Sequence, residues 1–570
     1  MKTTSASRLP WPLLLLSQLP GSAGSAIPQV VMSGDGYLGA VASERMECTK
    51  IGRDLLAGGG NAVDAMVGTQ LCVGVTSMYH SGIGGGGFAL VRDAKGNYES
   101  VDFRESAPAA ASEDMYKDNV QASIFGGLAA GVPSELRGLE YLHQKHGALP
   151  WADVVMPASK LAIEGFAVNE DMVRYFAYSI GEIGYNFLVD DKNWAMDFAP
   201  NGTLLGLNDV MTRKRYGETL ATIAKEGPGA FYNGKLAASF VDTVQQSGGI
   251  MTLDDMSSYA VNVGDALSTT YRGYRLFSSG APASGAICLN ILKILEQFDP
   301  ADGSDTNLAI HRLDEAMRFA YGARVLLGDP DFVDDMSGYQ ASLLDETAAK
   351  AIRSRIHDDR TLPVEAYDPS AVYTTESHGT SHVVTADSSG IAVSLTSTVN
   401  LLFGAMVVDP LTGVILNNEM NDFSIPGVRN AFGFEPSSAN FIRPGKRPLS
   451  SINPVIVERP DGTLYVTVGA AGGSRITSST AQIVWRILEH NATMGDALRQ
   501  PRVHDQLMPN NAFFEYSFDN DTVSSMRERG HNVTWIREGL SAVQGIRILD
   551  GGVFEAASEP RQRNSGALSL

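Results

Sequence analysis

The chain has 570 residues, 44% of them apolar, and carries a formal net charge of −20 at pH 7. A chain of this length is too long to fold around one hydrophobic core of ordinary size, so we expect one large composite domain or two domains. The acidic balance, without a run of Lys and Arg, argues against a nucleic-acid partner because phosphate binding requires clustered basic side chains. The sequence contains no Cys or His spacing typical of a metal site.

Residues 1–26 have the pattern of a secretory signal peptide. Lys2 and Arg8 lie near the front, Leu13–Leu16 form an apolar centre, and Gly24–Ala26 offers a small-residue cleavage site. The apolar stretch is short and flanked by prolines, so we predict secretion, with an N-terminal membrane anchor as the less favoured alternative. Four glycosylation sequons fit a eukaryotic secretory route and begin at Asn201, Asn491, Asn520 and Asn532.

Two helices are predicted next, and they carry two of the three cysteines. Ser43 is expected to cap a helix over 44–57, a run of three glycines ends it, and Asn61 begins a second helix. Cys48 and Cys72 lie at nearly equal distances from the turn, so antiparallel packing would bring them side by side. We therefore predict a Cys48–Cys72 disulfide, with two buried free thiols as the alternative.

A glycine-rich run over 82–87 contains the spacing G-x-G-x-x-G of a dinucleotide-binding fingerprint. That fingerprint requires a strand before it and a helix after it. Here a helix precedes the run and a predicted strand over 88–92 follows it, so we predict no cofactor. We interpret the run as a tight backbone passage in which side chains would obstruct a neighbouring segment.

Arg104 directly follows a strand predicted over 98–103. Taken alone, such an arginine is usually a surface salt bridge of small value. From 126 to about 372 the pattern is mostly helical, and these helices are expected to form outer layers over a sheet, without a catalytic constellation. The clearest helical segments are predicted over 133–146, 151–165, 220–226, 236–246 and 307–327.

The most informative stretch runs from 376 to 426. The pattern predicts strands over 381–385 and 391–398, joined by a turn. They would form a hairpin with Thr380 at its open end, directly before the first strand. The second strand returns Thr398 and Asn400 to the neighbourhood of Thr380. A loop over 417–422 then supplies two carboxylates and several amides, which suit an ammonium group.

Two later stretches also offer site residues. The aperiodic segment 423–446, rich in Pro, Gly, Ser and Asn, is interpreted either as a lid or as an ordinary connection. The glycine run 469–474 lies between a predicted strand and an amphipathic helix. Its backbone N–H groups can stabilise an oxyanion, and the alternative is merely a tight strand-to-helix turn.

Several of these motifs, in their order and spacing, resemble the gamma-glutamyltransferase (glutathione hydrolase) family. They are Gly82 to Phe88, Asp102-Phe103-Arg104-Glu105, Gly379-Thr380-Ser381-His382, Thr398-x-Asn400, Leu416-Asn417-Asn418-Glu419-Met420-x-Asp422-Phe423 and Pro448-Leu449-Ser450-Ser451. The similarity covers nearly the whole chain after the leader, and Glu419 favours the eukaryotic type. The resemblance implies an α+β fold, namely the four-layer αββα sandwich of N-terminal nucleophile hydrolases. It also implies the Cys48–Cys72 disulfide.

The resemblance further implies that the chain cuts itself between Gly379 and Thr380. A large subunit, 27–379, and a small subunit, 380–570, would then associate as a heterodimer and form one composite domain together. A free α-amino group has a pKa of about 7.7–8.0, so that of Thr380 suits the role of general base for its own hydroxyl. The expected substrates are glutathione and other gamma-glutamyl compounds, with water, amino acids or dipeptides as acceptors.

The resemblance also assigns roles to the residues around Thr380. Asn400, Glu419 and Asp422 are expected to hold the α-amino group of the substrate. Arg104, Ser450 and Ser451 are expected to hold its α-carboxylate. Thr398 would orient Thr380, and Gly472 and Gly473 would form an oxyanion hole, with Gly473 also next to the substrate. His382 alternates onto the face of Thr380, and we expect a packed, hydrogen-bonded histidine without a proton-transfer role.

Two other functions stay open at this point. A beta-lactam or glutaryl acylase uses the same fold and a similar nucleophile, but the full set of amino-acid-binding residues favours a gamma-glutamyl donor. An uncleaved, inactive secreted glycoprotein is the second alternative. It has little support because every matched catalytic position is filled.

Overall fold

The computed structural model describes residues 37–299, 306–368, 370, 372–373, 379–429 and 435–570. The predicted signal peptide, its cleavage site and residues 430–434 of the segment 423–446 lie outside these ranges. None of the helices within them combines the length and the hydropathy that a membrane span requires.

The described helices are α1 (Met46–Ala57), α2 (Ala62–Thr76), α3 (Glu135–His146), α4 (Trp151–Glu164), α5 (Glu170–Ile183), α6 (Phe187–Asp190), α7 (Lys192–Phe198), α8 (Lys214–Glu226), α9 (Gly229–Tyr232), α10 (Gly234–Gln246), α11 (Leu253–Ser258), α12 (Gly285–Leu295), α13 (Thr306–Arg324), α14 (Met336–Leu343), α15 (Glu346–Arg353), α16 (Arg475–His490), α17 (Met494–Arg499) and α18 (Asn520–Glu528). The described strands are β1 (Gly39–Ser43), β2 (Gly86–Arg92), β3 (Tyr98–Phe103), β4 (Phe166–Ala167), β5 (Val210–Met211), β6 (Asn262–Gly264), β7 (Leu267–Tyr271), β8 (Tyr274–Ser278), β9 (Val372–Tyr373), β10 (Ser381–Asp387), β11 (Ala392–Thr398), β12 (Glu435–Pro436), β13 (Val455–Glu458), β14 (Leu464–Ala471), β15 (Val503–His504), β16 (Ala512–Glu515), β17 (Val533–Ile536), β18 (Ala542–Ile548), β19 (Phe554–Ala557) and β20 (Gly566–Ser569).

Two antiparallel sheets pack face to face at the centre of the fold. The first has the strand order β20-β1-β10-β11-β2-β3-β6 and the second β19-β18-β14-β13-β8-β7. Side chains alternate between the two faces of each strand. Val384 and Ala386 of β10 therefore pack between the sheets with Ile456 and Ile546 of the second sheet, whereas Val383 packs among the helices.

A layer of helices covers the outer face of each sheet. Helices α1, α2 and α3 pack on the first sheet, with α4 against α2. Helices α12 and α16 pack on the second sheet, with α13 against α12. The order of layers is helices, sheet, sheet, helices, as the resemblance implies. Helices α3, α4 and α10 begin and end within two residues of the predicted bounds, because their apolar faces give a clear 3.6-residue period. The bounds predicted over 220–226 are too short, because α8 already begins at Lys214, and α13 ends at Arg324, three residues before its predicted end.

The helical hairpin α1–α2 confirms the predicted disulfide. Cys48 and Cys72 are bonded, and Asn61 caps α2, accepting hydrogen bonds from two backbone N–H groups. The predicted cap at Ser43 is wrong. Ser43 ends β1, which stays extended because it pairs with strands on both sides, and α1 begins only at Met46.

The glycine run over 82–87 is confirmed as a tight backbone passage. A Cβ at Gly84 would lie 2.0 Å from the carbonyl oxygen of Ile415, and one at Gly85 would lie 1.9 Å from that of Thr398. Only glycine admits such contacts. The run thereby lets the chain around Thr398 approach β2 closely.

The C-terminal part contains a helix that the sequence pattern does not indicate. Helix α18 covers Asn520–Glu528, with Asp519 accepting a hydrogen bond from Thr522 N. Among its apolar residues only Val523 and Met526 are buried, which is too few to produce a visible period in the sequence.

Candidate active site

The predicted hairpin is formed by β10 and β11, in which Ser381 pairs with Ser397. Thr380 immediately precedes β10 and is only 4% exposed. Its hydroxyl contacts the carbonyl oxygen of Gly379, and the hydroxyl of Thr398 donates a hydrogen bond of 2.7 Å to the same oxygen. In this uncut chain two hydroxyls therefore converge on the carbonyl group of Gly379.

The backbone at Gly379 requires glycine for two reasons. Its φ is +139°, a value that L side chains rarely adopt, and a Cβ there would lie 2.4 Å from Asn400 O. Asn400 N in turn donates a 2.7 Å hydrogen bond to Thr398 Oγ1, which leaves that hydroxyl's proton directed at Gly379. The loop at Asn400 thus sets both the space and the hydrogen bonding around the 379–380 bond.

Two buried glutamates hold the serines next to the threonines. The Ser381 hydroxyl donates to Glu44, which also lies 3.0 Å from His80 Nδ1. The Ser397 hydroxyl donates to Glu135 of α3, and burial raises the pKa of Glu135 to about 7. Neither glutamate was predicted from the sequence, because nothing in the local pattern shows that they contact serines hundreds of positions away.

His382 is the packed, hydrogen-bonded histidine that the sequence analysis expects. Its Nδ1 lies 2.8 Å from Thr396 Oγ1, and its ring packs on Gly469 of β14. Burial lowers its pKa to about 3, so the ring is neutral at physiological pH. This contact also brings the start of β10 over the last residues of β14.

A group of four buried charged residues, the Arg104 cluster, consists of Arg104, Glu105, Glu419 and Asp422. Arg104 follows β3, as predicted, and is 1% exposed. Its guanidinium lies 2.5 Å from a carboxylate oxygen of Glu419, 2.5 Å from one of Asp422 and 4.0 Å from one of Glu105. Three carboxylates therefore surround one guanidinium.

Burial and charge act in opposite directions in the Arg104 cluster. Burial works against the charge of Arg104, but Glu419 and Asp422 outweigh it and raise the pKa of Arg104. Burial raises the pKa of Glu105 to about 7 and that of Glu419 well above its ordinary value, although Arg104 opposes both shifts. An additional cation would stabilise the ionised forms of these carboxyls.

The amides of the loop 417–422 mostly hold the backbone together. Asn417 Nδ2 donates hydrogen bonds of 2.8 Å to the carbonyls of Gly84 and Gly131, and Asn418 Oδ1 accepts one of 3.0 Å from Leu401 N. Asn400 Nδ2 donates to Asn418 O at 3.0 Å. These bonds fix the loop, so that the carboxylates of Glu419 and Asp422 supply its chemistry.

Ser450 and Ser451 lie in the segment before β13. Ser450 Oγ accepts a 3.2 Å hydrogen bond from Ile452 N, and Ser451 Oγ accepts one of 3.0 Å from Arg324 at the end of α13. Burial lowers the pKa of Arg324, which also interacts electrostatically with Asp422. No site role was predicted for α13, because an arginine at the end of a helix carries no sequence signal of its contacts.

Gly472 and Gly473 connect β14 to α16, the strand-to-helix transition that was predicted. Their φ values are +125° and +61°, and a Cβ at Gly472 would lie 2.5 Å from Leu540 O. Glycine is therefore required at least at Gly472, and the N–H groups that begin α16 lie at the positive end of its dipole.

Solved structures share this arrangement of layers. A cephalosporin acylase from Bacillus halodurans superposes with a TM-score of 0.84 over 97% of this chain and 99% of its own, at 24% identity. The gamma-glutamyltranspeptidase of Helicobacter pylori is 32% identical, with a TM-score of 0.54 over 58% of this chain and 96% of the compared one. The chain therefore has the α+β fold of the N-terminal nucleophile hydrolase type.

Sequence comparisons identify the family. The family model for gamma-glutamyltranspeptidase matches residues 48–569. A glutathione hydrolase proenzyme of Arthroderma benhamiae is 49% identical over 546 residues, covering 94% of this chain and 93% of that protein. A glutathione hydrolase of Aspergillus flavus is 46% identical over 533 residues, covering 93% and 89%. The chain belongs to the gamma-glutamyltranspeptidase family.

Proposed function

We propose that this protein is a glutathione hydrolase and gamma-glutamyltransferase, made as a proenzyme that cuts itself between Gly379 and Thr380. One observation carries the proposal. The hydroxyls of Thr380 and Thr398 meet at the carbonyl of Gly379, in a chain that also buries Arg104 with Glu419 and Asp422.

The cut begins with attack of Thr380 Oγ1 on the carbonyl carbon of Gly379. Thr398 donates to the carbonyl oxygen and stabilises the negative charge that develops there. The C–N bond then breaks, the nitrogen takes the hydroxyl proton, and an ester links Gly379 to Thr380. Water hydrolyses this ester, which gives the pieces 27–379 and 380–570, the second beginning with a free amine.

The transfer reaction reuses the same hydroxyl. The α-amino group of Thr380 accepts its proton, and Oγ1 attacks the gamma-glutamyl amide of glutathione. The carbonyl oxygen becomes an oxyanion, which the N–H groups of Gly472 and Gly473 are suited to stabilise. The leaving amine of cysteinylglycine takes the proton. Water then releases glutamate, or the amine of an amino acid or dipeptide accepts the group.

The donor is recognised by its zwitterionic α end. Its ammonium group binds between Glu419 and Asp422, with Asn400 beside them, and this binding frees Arg104 to pair with the carboxylate. Ser450 and Ser451 add hydroxyl donors to that carboxylate. The three carboxyl groups around one guanidinium support this assignment, because Arg104 cannot pair fully with all of them and an added ammonium group would stabilise their ionised forms.

A secretory route completes the proposal, with residues 1–26 as the signal peptide. Two observations support it. A Cys48–Cys72 disulfide suits an oxidising compartment, and all four sequon asparagines are exposed. Removal of N-glycans from the secreted protein should increase its mobility in denaturing electrophoresis, and an unchanged mobility would contradict use of the sequons.

The deciding experiment is denaturing electrophoresis of the secreted, deglycosylated protein, with N-terminal sequencing of each band. We expect two bands, the smaller beginning at Thr380, and release of glutamate from glutathione. Thr380→Ala should remain one chain without activity, and Thr398→Ala should be cut slowly while Thr398→Ser is cut faster. A single full-length band in folded wild-type protein would favour the inactive glycoprotein instead.

A second substrate separates this function from that of an acylase. The glutaryl analogue of glutathione lacks only the α-amino group. Because the Arg104 cluster has no cation to bind in that analogue, we expect kcat/KM at least about 100-fold lower than for glutathione, as befits loss of a charged, buried contact. Similar values for the two substrates would favour a glutaryl acylase.

A further inference from the structure

A second group of buried charged residues lies between α13 and the C-terminal part of the chain. This Asp314 cluster consists of His311, Asp314, Glu315 and Arg318 on α13, Asp505 after β15, and His531 before β17. Each of them is at most 5% exposed. None has a role in the proposed reaction, and the cluster is independent of it.

The hydrogen bonds of the two histidines determine where their protons lie. His311 Nε2 lies 2.7 Å from the carbonyl oxygen of His357, which can only accept, so this nitrogen carries a hydrogen. Burial favours neutral rings. His311 Nδ1 is therefore an acceptor, and His531 Nε2 donates to it at 2.8 Å. It follows that His531 Nδ1 carries a lone pair.

That lone pair lies close to the carboxylate of Asp314. His531 Nδ1 and Asp314 Oδ2 are 3.0 Å apart, and Asp314 is 0% exposed. Among the described residues, no group donates a hydrogen bond to either oxygen of Asp314 or to His531 Nδ1. Two acceptors at this distance repel, and a buried carboxylate without a donor is costly. A metal ion or a proton between them would remove this repulsion.

Asp505 converges on the same place. One ligating atom from each of Asp314, Asp505 and His531 lies within 4.8 Å of the other two. Asp505 accepts hydrogen bonds from Arg318 at 2.8 Å and from Leu507 N at 2.7 Å, but carboxylate oxygens have lone pairs to spare.

Glu315 is less available. Its two oxygens accept from the Tyr367 hydroxyl at 2.8 and 2.7 Å. One of them also lies 3.8 Å from His531 Nε2, the nitrogen that carries a hydrogen, so we leave Glu315 out of the ligand set.

The charges of the cluster suit a divalent cation. When the carboxyls of Asp314, Glu315 and Asp505 are all ionised, they exceed the single guanidinium of Arg318 by two negative charges, which one divalent cation would balance. The nearby Arg529 is only half-buried and bonds instead to the backbone of Asp358 and to Ser525. One imidazole nitrogen with two carboxylates is a donor set that zinc accepts.

We propose that Asp314, Asp505 and His531 bind one divalent transition-metal cation, of which zinc fits the donors best. Coordination at about 2.0–2.2 Å draws the three side chains together. Asp314 precedes the 379–380 bond in the chain and the other two ligands follow it. The ion therefore ties α13 to the C-terminal part across the proposed cut, as a structural site without a catalytic step.

The test is the metal content of the full-length wild-type protein, expressed with zinc in the medium and dialysed against metal-free buffer. We expect about one zinc per chain. Zinc added back after chelation should raise the melting temperature. Asp314→Asn should bind zinc more weakly by more than the about 10–100-fold that loss of an outer-shell partner costs.

Asp409→Asn is the matched control. Asp409 is equally buried, but its oxygens accept hydrogen bonds from Ser239, Thr243 and Thr412, so it needs no cation. This variant should retain its zinc.

Two results would overturn the proposal. The first is wild-type protein without metal whose melting temperature does not respond to zinc, in which case a proton shared by Asp314 and His531 fills the gap. The second is equal zinc affinity in wild type and Asp314→Asn. If Asp314→Asn fails to fold, the metal content and the cobalt absorption spectrum of the wild type decide the question.

Discussion

Two clusters in this protein each place three buried carboxylates around one buried arginine, yet they are built for different ligands. The Arg104 cluster has Arg324 nearby, which donates a hydrogen bond to Ser451, and the hydroxyl groups of Ser450 and Ser451, which can themselves donate. The Asp314 cluster instead has two imidazole rings, one of which presents a lone pair. Donors beside carboxylates suit a zwitterion, whereas a lone pair beside carboxylates suits a cation.

The difference teaches that an excess of buried negative charge does not by itself define a site. The ligand that such a cluster binds depends on the neutral groups around the carboxylates. These groups determine whether an ammonium group or a divalent cation binds there. Matched substitutions in the two clusters can therefore separate effects on substrate from effects on stability.

The largest effect on activity is expected for Arg104→Ala. Loss of the guanidinium removes the partner of the substrate carboxylate and leaves three carboxylates unbalanced, so kcat/KM for glutathione should fall by about 10²–10³-fold. Arg104→Lys should recover only part of this loss, because lysine lacks the planar fork. Steady-state kinetics on cleaved protein measure it, and an Arg104→Ala enzyme within threefold of wild type would rule out the assigned role.

Arg318→Ala should have its effect on stability instead. Removing one partner from a buried ionic group costs about 3–5 kcal/mol, so denaturant unfolding should show that loss. The cleaved, folded fraction should keep kcat/KM for glutathione within about twofold, since Arg318 lies outside the Arg104 cluster. A large fall in kcat/KM at unchanged stability would show that the two clusters are not independent.

Glu419→Gln is expected to have a smaller, selective effect. Glutamine keeps the shape but loses one charge that the substrate ammonium needs, so KM should rise about tenfold with little change in kcat. Glu315→Gln is the matched change in the other cluster and should leave KM unaltered. An unchanged KM in Glu419→Gln would argue that Asp422 and Asn400 bind the ammonium without it.

The smallest effect is a pH dependence. Burial raises the pKa of Glu105 to about 7, so the carboxyl is protonated below that pH and the site is less negative. KM for glutathione should therefore rise severalfold from pH 8 to pH 6, whereas titration of the Thr380 amine should act on kcat. Glu105→Gln should flatten the KM profile, and an identical profile in that variant would exclude Glu105 as its cause.

The same shift has a consequence for stability. The folded chain keeps a proton on Glu105 between its ordinary pKa of 4.5 and about 7, whereas the unfolded chain releases it. Stability therefore falls as pH rises through this window and is constant above it, as far as this group contributes. Unfolding of wild type and Glu105→Gln at several pH values measures the difference.

Local patterns in the sequence predicted much of the fold. The period-2 run after Thr380 gave the hairpin, and the strand before Arg104 was placed with its observed ends. The glycine turn between α1 and α2 aligned Cys48 with Cys72. These features depend on residues close together in sequence, which is why pattern and turn chemistry suffice.

Contacts between distant segments could not be predicted in this way. Glu44 and Glu135 reach the serines beside the two threonines only because the outer helices pack on the first sheet. Arg324 reaches Ser451 for a similar reason. The residues of the Asp314 cluster come from three separate segments, so no spacing of His and Asp in the sequence predicts it.

The first sheet has one further consequence. Strand β1, Gly39–Ser43, lies between β20 and β10, with backbone ladders on both sides. After a cut between Gly379 and Thr380, both polypeptides therefore contribute alternating strands to a single sheet. Neither can leave without breaking both ladders, so two isotopically distinct populations should not exchange their pieces in solution. In each mature molecule, the large and small pieces would therefore always come from the same precursor chain.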